Sequence, residues 1–439
     1  MMRKVFVVKG MILIALGILA VPARPAAAQE QSAQPAYTIP EYNAYQAARA
    51  ETNAQNRVKL LDDFVSKFPN STLTQYIYQL YIQSYSELKT YPKVIEYCDK
   101  LLALGDKVDP GTRLQELQAR VQAFSVSFDA KAADAHDQLT KERDAAKQGA
   151  ALLSDYKKPA NSTMSDDDFA KQKKPGIAFF DAAAGFADLQ LKDYAAAAEA
   201  FKAALANNPA DAVSSYRLGV AYLELQPPQS IDGFWALARA INLKVPDDAR
   251  IKDYLKKAIT AYEQPNCDSI VDTQLAELLQ LAGTSGDRPA TYTIPSAADL
   301  QKAAAGSTIL TVIADLTAGG DKAKLTWIAI CGAEFPQVGG KIFDVTPATD
   351  SVGMHIFTGA TSDEITAATA PNLDVKFVGQ PEVSRFKKDD EIVFDGTLVG
   401  YDPQPFMLHF DKAKVDPKII PAEEKAGAPH KKAGKPSGN

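Results

Sequence analysis

The side chains able to do acid–base or covalent chemistry are few and scattered. His136, His355, His409 and His430 share no HExxH or comparable spacing that would present two imidazoles to one metal ion. Cys98, Cys267 and Cys331 are too few for a disulfide scaffold, and an odd count leaves at least one thiol free or paired between chains. Cys98 and Cys331 lie in apolar stretches and read as small buried hydrophobes. Cys331 has no identifiable histidine to activate it as a nucleophile. The acidic run Ser165–Asp168 has cation-binding chemistry, but its place before an apolar run reads as the cap and first turn of a helix beginning near Phe169. No GxSxG, P-loop or GxGxxG occurs, and Gly319-Gly320 and Gly339-Gly340 read as hairpin turns. Carboxylates are abundant, so no catalytic pair stands out. The expectation is a protein without enzyme activity, metal or cofactor; a small-ligand cleft or divergent hydrolase site near Ala282 to Ser296 is the lesser alternative.

What remains is architecture. The chain has 439 residues, 46% hydrophobic and 23% charged, which fits a globular protein of two to four domains. Its start reads as an address: Arg3, Lys4 and Lys9, then the uncharged run Met11 to Val21, then Ala26-Ala27-Ala28 before Gln29. That order is a secretory signal peptide over residues 1–28, cleaved between Ala28 and Gln29, and its apolar run is short for a membrane span. The segment holds four of the 48 basic residues and none of the 54 acidic ones, so the exported chain would carry a net charge of −10. An acidic exported protein is a poor partner for nucleic acid, and no stable membrane insertion is expected after cleavage.

From about Tyr42 to Leu281 the sequence is Ala-rich, with apolar residues at helical spacing and breaks at Pro or Gly. From Ala290 it turns to Thr, Val, Ile and Phe in short runs between Gly, Pro and Asp, which is strand patterning. The predicted fold class is segregated α+β: a helical array, then a small β domain. Residues 421–439, with Ala, Gly, Pro and Lys and no large apolar side chain, read as a disordered tail.

The helical part repeats. In "AFFDAAAGFADLQLKDYAAAAEAFKAALANNPAD", numbered from Ala178 in a unit of about 34 residues, Gly185 falls at position 8, Leu191 at 14, Tyr194 at 17 and Ala197 at 20. Phe201 falls at 24, Ala204 at 27 and Pro209 at 32. The small residues permit close helix contact, the aromatics fill the gap and proline ends the second helix. This segment resembles the tetratricopeptide repeat. Leu218, Gly219, Ala221, Tyr222 and Leu225 begin a second such unit, whose loop is enlarged by "QPPQS" and whose second helix, Phe234 to Leu243, is displaced by about two residues. Leu61, Phe64 and Pro69, then Tyr85, Leu88, Tyr91, Val94, Cys98 and Leu101, mark two earlier units. Gly111 to Tyr156 reads as two long helices with degenerate signals, and Ala249 to Tyr262 as a capping helix. The ending "KFPNS" is similar to that of bacterial cell-envelope tetratricopeptide proteins, and the domain order resembles exported repeat proteins of acidobacterial type, which implies no defined activity.

The resemblance implies a solenoid whose first helices line a groove at positions 2, 5, 9 and 12. These positions are Tyr76, Gln79, Gln83 and Ser86 in the second unit, Phe179, Ala182, Phe186 and Leu189 in the third, and Val213, Tyr216, Val220 and Leu223 in the fourth. Phe179, Phe186, Leu189, Tyr216, Val220 and Leu223 thus form the candidate partner-binding strip for a protein helix or peptide. The Lys, Arg and Asn of a chaperone-tail clamp are absent from these positions. The competing expectation is a groove filled by the chain itself.

Strands are predicted at Thr308–Ala314, Leu325–Ile330, Gly340–Thr346, Val352–Phe357, Leu373–Val378, Glu391–Tyr401 and Phe406–Phe410. The later ones resemble a five-stranded OB-type barrel, with Phe343, Phe357, Phe377 and Phe394 expected in its core. Residues 305–415 hold 9 basic and 15 acidic residues, which opposes the nucleic-acid role common to such barrels. The resulting domain layout is a linker at 29–40, repeats at 41–110, a degenerate helical pair at 111–175, repeats and cap at 176–283, a linker at 284–304 and the β domain at 305–420. The expected function is a noncatalytic scaffold of the bacterial envelope, periplasmic or secreted; a structural or self-associating envelope protein is the alternative.

Overall fold

The computed structural model describes residues 37–423. The expected signal peptide with its cleavage site, and the expected tail beyond residue 423, lie outside the described residues.

The helical part runs as α1 Ile39–Ala50, α2 Ala54–Lys67, α3 Thr74–Glu87, α4 Tyr91–Leu102, α5 Pro110–Ser127, α6 Ala135–Asp155 and α7 Asp166–Gln190. It continues as α8 Tyr194–Asn207, α9 Ala212–Glu224, α10 Ser230–Asn242, α11 Asp248–Glu263 and α12 Asp268–Thr284. The chain forms two compact units: one reaches Leu255 and resumes over Leu278–Tyr292, the other holds Lys256–Glu277 and everything from Thr293.

From α1 to α10 each helix packs on its neighbours in sequence, and α1 on α3, α5 on α7 and α7 on α9 touch as well. That contact pattern is a helical solenoid. Acidic and hydroxyl caps punctuate it. Asp168 N–H donates to Ser165 Oγ at 3.1 Å, so the Ser165–Asp168 run caps a helix that starts at Asp166, three residues earlier than expected. Asp193 accepts from Ala196 N–H, and Asp211 from Val213 and Ser214 N–H, at the starts of α8 and α9. Close approach is enforced by small residues. A Cβ on Gly185 would stand 2.9 Å from the Phe201 ring, and one on Gly219 would stand 2.7 Å from Leu237 Cγ. Leu237 stands two residues beyond position 24, which is the displacement the sequence shows. Ala197, Phe201 and Ala204 are fully buried between α7, α8 and α9.

The second unit contains α13 Ala297–Ala304, α14 Ile309–Ala318 and α15 Gly320–Ile330, then β1 Glu334–Pro347, β2 Ser351–Phe357, α16 Ser362–Ala367, β3 Leu373–Val378, β4 Glu391–Pro403 and β5 Phe406–Lys414. Two predicted strands are therefore helices: Thr308–Ala314 falls in α14 and Leu325–Ile330 in α15. Their β-branched residues imitate strand composition, but Thr308 caps α14 at Thr311 N–H, and the buried pairs Val312/Leu316 and Thr326/Ile330 keep four-residue spacing. Gly319 and Gly320, at φ near +70°, join these helices and form no hairpin. Gly339 and Gly340 lie inside β1, where a Cβ on Gly340 would meet the Phe357 carbonyl oxygen at 2.5 Å.

The strands close into a barrel in the order β1-β2-β3-β5-β4, with β3 and β5 parallel and the other neighbours antiparallel. Val352, Met354 and Ile356 of β2 and Leu373, Val375 and Phe377 of β3 alternate inward. Phe335, Phe377, Phe394 and Phe410 meet edge to face, with centroids 5.6–6.1 Å apart. Phe343 and Phe357, expected in this core, are half-buried instead. Phe343 sits at the irregularity between Ile342 and Asp344, where Lys341 Nζ lies 5.3 Å from its ring centre.

Cys331 is buried, but not as a lone hydrophobe: it forms a disulfide with Cys267, 64 residues away, so the end of α15 is tied to the start of α12. Cys98 is the free thiol. A loop of that length predicts a loss of about 2–4 kcal/mol when the bond is cut. Urea unfolding followed by Trp327 fluorescence in a Trp235→Phe background should show this loss on Cys267→Ser/Cys331→Ser replacement or reduction. Identical midpoints with and without reductant would mean that the bond does not support this unit.

Candidate functional site

Reactive groups in the solenoid are enclosed. The Cys98 thiol donates to Glu116 Oε2 at 3.8 Å, and burial among α4 and α5 pushes its pKa up, so it is held as thiol. Burial also raises Glu116 to about 7 and Glu142 to about 8. Arg120 joins this knot: Nη1 donates to Glu142 and Nε to Asp99, each at 2.6 Å. Glu116, Arg120 and Glu142 are all buried, so no substrate reaches them in this packing.

The barrel histidines form surface pairs. His355 Nδ1 lies 2.9 Å from Asp344. His409 stands between Asp374 and Asp402, with 3.0 Å on each ring nitrogen. Burial disfavours its charge, but these two hydrogen bonds outweigh that and hold its pKa above the ordinary value. His136 is exposed beside Asp137, and His430 lies outside the described residues. Among the described residues, no three His, Cys, Asp or Glu side chains converge as a metal site.

The candidate strip lies on α7 and α9, and all six of its residues are half-buried. The Phe179 ring meets Phe180 at 5.3 Å and packs on the α5–α6–α7 core. Phe186 meets the Phe128 ring edge-on at 6.2 Å. Above Phe186 the Arg217 guanidinium of α9 sits 4.7 Å from the ring centre. Tyr216 is adjacent in sequence to that arginine. Burial raises the Tyr216 pKa, while the charges of Arg217 and Arg250 oppose the rise. Val220 follows one turn beyond Tyr216 on α9. Leu189 and Leu223 also pack inward, against the second helices of their own pairs. Leu189 packs against the Ala197–Phe201 cluster, and Leu223 lies over Gly233 of α10, so both are engaged within their own helix pairs.

The structure thus joins Phe186 and α9 through Arg217, a residue outside the strip that the repeat pattern marks. Arg217 occupies position 6, between the groove positions 5 and 9. Tyr254 of α11, 40% exposed, falls by sequence only in a capping helix. The available signal was a basic residue beside a groove aromatic.

No protein-family model and no curated protein matches the chain. Among solved structures it is similar to MamA of Desulfovibrio magneticus RS-1, residues 41 to the end, at 18% identity over 48% of this chain and 98% of that one, with a TM-score of 0.30. It is also similar to TTC0263, a thermophilic tetratricopeptide repeat protein of Thermus thermophilus, at 15% identity over 50% and 98%, with a TM-score of 0.25. The apo form of RapI is similar at 12% identity over 66% and 97%, with a TM-score of 0.30. Among the described residues, no helix is long and apolar enough to cross a membrane.

The buried acids predict a pH dependence. Glu116 titrates near 7 when folded and near the ordinary 4.5 when unfolded, so its folded state is favoured below that lower value and loses ground as pH rises through 7. Thermal melts of the solenoid should fall between pH 5 and pH 8, and Glu116→Gln should flatten the fall. An unchanged slope in the variant would remove Glu116 as its source.

Proposed function

We propose that this protein is a noncatalytic interaction scaffold, exported to the bacterial envelope or beyond, that holds a partner peptide or helix on the α7/α9 face. The observation that carries the reading is the state of Phe179, Phe186, Tyr216 and Val220. Phe179 and Phe186 each rest with one side on a neighbouring core, yet all four stay half-buried, on two helices, α7 and α9, that touch each other. An apolar strip of this kind suits partner contact. Leu189 and Leu223 have a lesser part, because their side chains already serve internal packing. Export is supported by the signal-like start of the sequence and by the Cys267–Cys331 bond, which suits an oxidising compartment. The noncatalytic reading is supported by side chains that are either sealed, as Glu116 and Glu142 are, or committed to surface ion pairs, as His409 is.

The test is affinity capture from envelope extract with the chain from Gln29 onward as bait and Phe186→Asp as control. A charge placed at the centre of the strip should weaken a specific partner at least about thirtyfold, as loss of an interface anchor does. Circular dichroism should stay that of the parent. Equal capture by both forms, with an intact fold, would reject the face. Sedimentation showing a defined self-assembly that Phe186→Asp dissolves would instead identify the partner as a second copy.

A further inference from the structure

Resting on that reading, we infer that the partner presents an acidic side chain, and that its carboxylate is received by Arg217. The argument begins with what Arg217 lacks. Elsewhere in the same unit, enclosed arginines have their N–H edges engaged: Arg57 with Glu87 at 3.1 Å, Arg120 with Asp99 and Glu142, Arg288 with Asp232 at 2.8 Å, and Arg239 with the carbonyls of Gly286 and Pro209. Arg217 is half-buried and has only the Phe186 ring beneath it, with no ion pair and no side-chain hydrogen bond among the described residues. Asp211 acts on it electrostatically without pairing, and its own oxygens are taken by Val213 N–H, Ser214 N–H and Ser214 Oγ at the start of α9.

Stacking satisfies the face of a guanidinium and leaves its N–H edge to be satisfied; a carboxylate fits that edge with two parallel hydrogen bonds. Charges of both signs lie around it: that of Arg250 reaches Tyr216, and that of Glu224 reaches Tyr254, so the selectivity must come from Arg217 itself. The flanks are aromatic or aliphatic: Phe186, Tyr216 and Val220, with Tyr254 beyond. The fitting occupant is therefore a peptide segment in which Asp or Glu lies close to an apolar side chain. The carboxylate meets Arg217, and the apolar neighbour covers the strip.

The probes are three pools of fluorescein-labelled decapeptides, acetylated and amidated at their ends. Each has Phe or Leu around a fixed central Glu, Gln or Lys, and binding to the full chain is read by fluorescence polarisation. The parent should bind the Glu pool about tenfold more tightly than the Gln pool, the value of a charge-assisted hydrogen bond, and the Lys pool least. Arg217→Gln should erase the Glu preference without altering the circular dichroism melt, and Arg217→Lys should restore part of it. Failure of the parent to bind the Glu pool, equal affinity for Glu and Gln, or a Glu preference that survives Arg217→Gln would each overturn the inference. Phe186→Asp separates the two readings. If it abolishes binding while Glu and Gln remain equivalent, the face stands and the acidic partner falls. If it binds as the parent does, the face itself is wrong.

Discussion

The solenoid depends on how closely two helices can approach. Gly185 beneath the Phe201 ring brings α7 onto α8, and Gly219 beneath Leu237 does the same for α9 and α10. A methyl group at either place would stand inside contact distance of a buried side chain, a change that costs about 1–3 kcal/mol in a packed core. The same device recurs where the repeat signature is degenerate: a Cβ on Gly149 of α6 would stand 2.4 Å from the Phe180 ring of α7. With α7, α8 and α9 drawn together, Arg217 of α9 comes to lie over the Phe186 ring of α7.

The second unit solves a different problem. A five-stranded barrel has a small interior, and rings meeting edge to face fill it, from Phe335 through Phe410 and Phe394 to Phe377. Closure removes the free sheet edges that would invite pairing with other chains. The helices α13 to α15 and the segment around Cys267 extend that core, with Ile270, Leu300, Val312, Leu316 and Ile330 in one continuous cluster with the barrel residues. The Cys267–Cys331 bond adds a covalent limit to how far this extension can open.

The charged groups of the molecule differ in how they are paired. The Asp99–Arg120–Glu142 knot satisfies its charges internally, and it holds α4, α5 and α6 together at the price of desolvation. His409, bracketed by Asp374 and Asp402, does the same between strands at the barrel surface. Arg217, set over an aromatic ring and joined to no carboxylate, differs from both, and that difference gives the α7/α9 face its chemical character.

Local periodicity carried most of the architecture. Gly185, Ala197, Phe201, Ala204 and Pro209 mark a helix pair because each acts within about one repeat length, and the alternation of Leu373, Val375 and Phe377 marks a strand for the same reason. Composition misled where it imitated the wrong element: Thr308–Ala314 is rich in strand formers, yet its cap and its Val312/Leu316 spacing make it a helix. The tertiary structure alone decided the pairing of Cys267 with Cys331, the outward setting of Phe343, the inward use of Leu189 and Leu223, and the unpaired setting of Arg217 over Phe186. Each of these depends on which distant side chain arrives opposite, and a sequence pattern fixes the face a residue occupies without naming the neighbour that meets it.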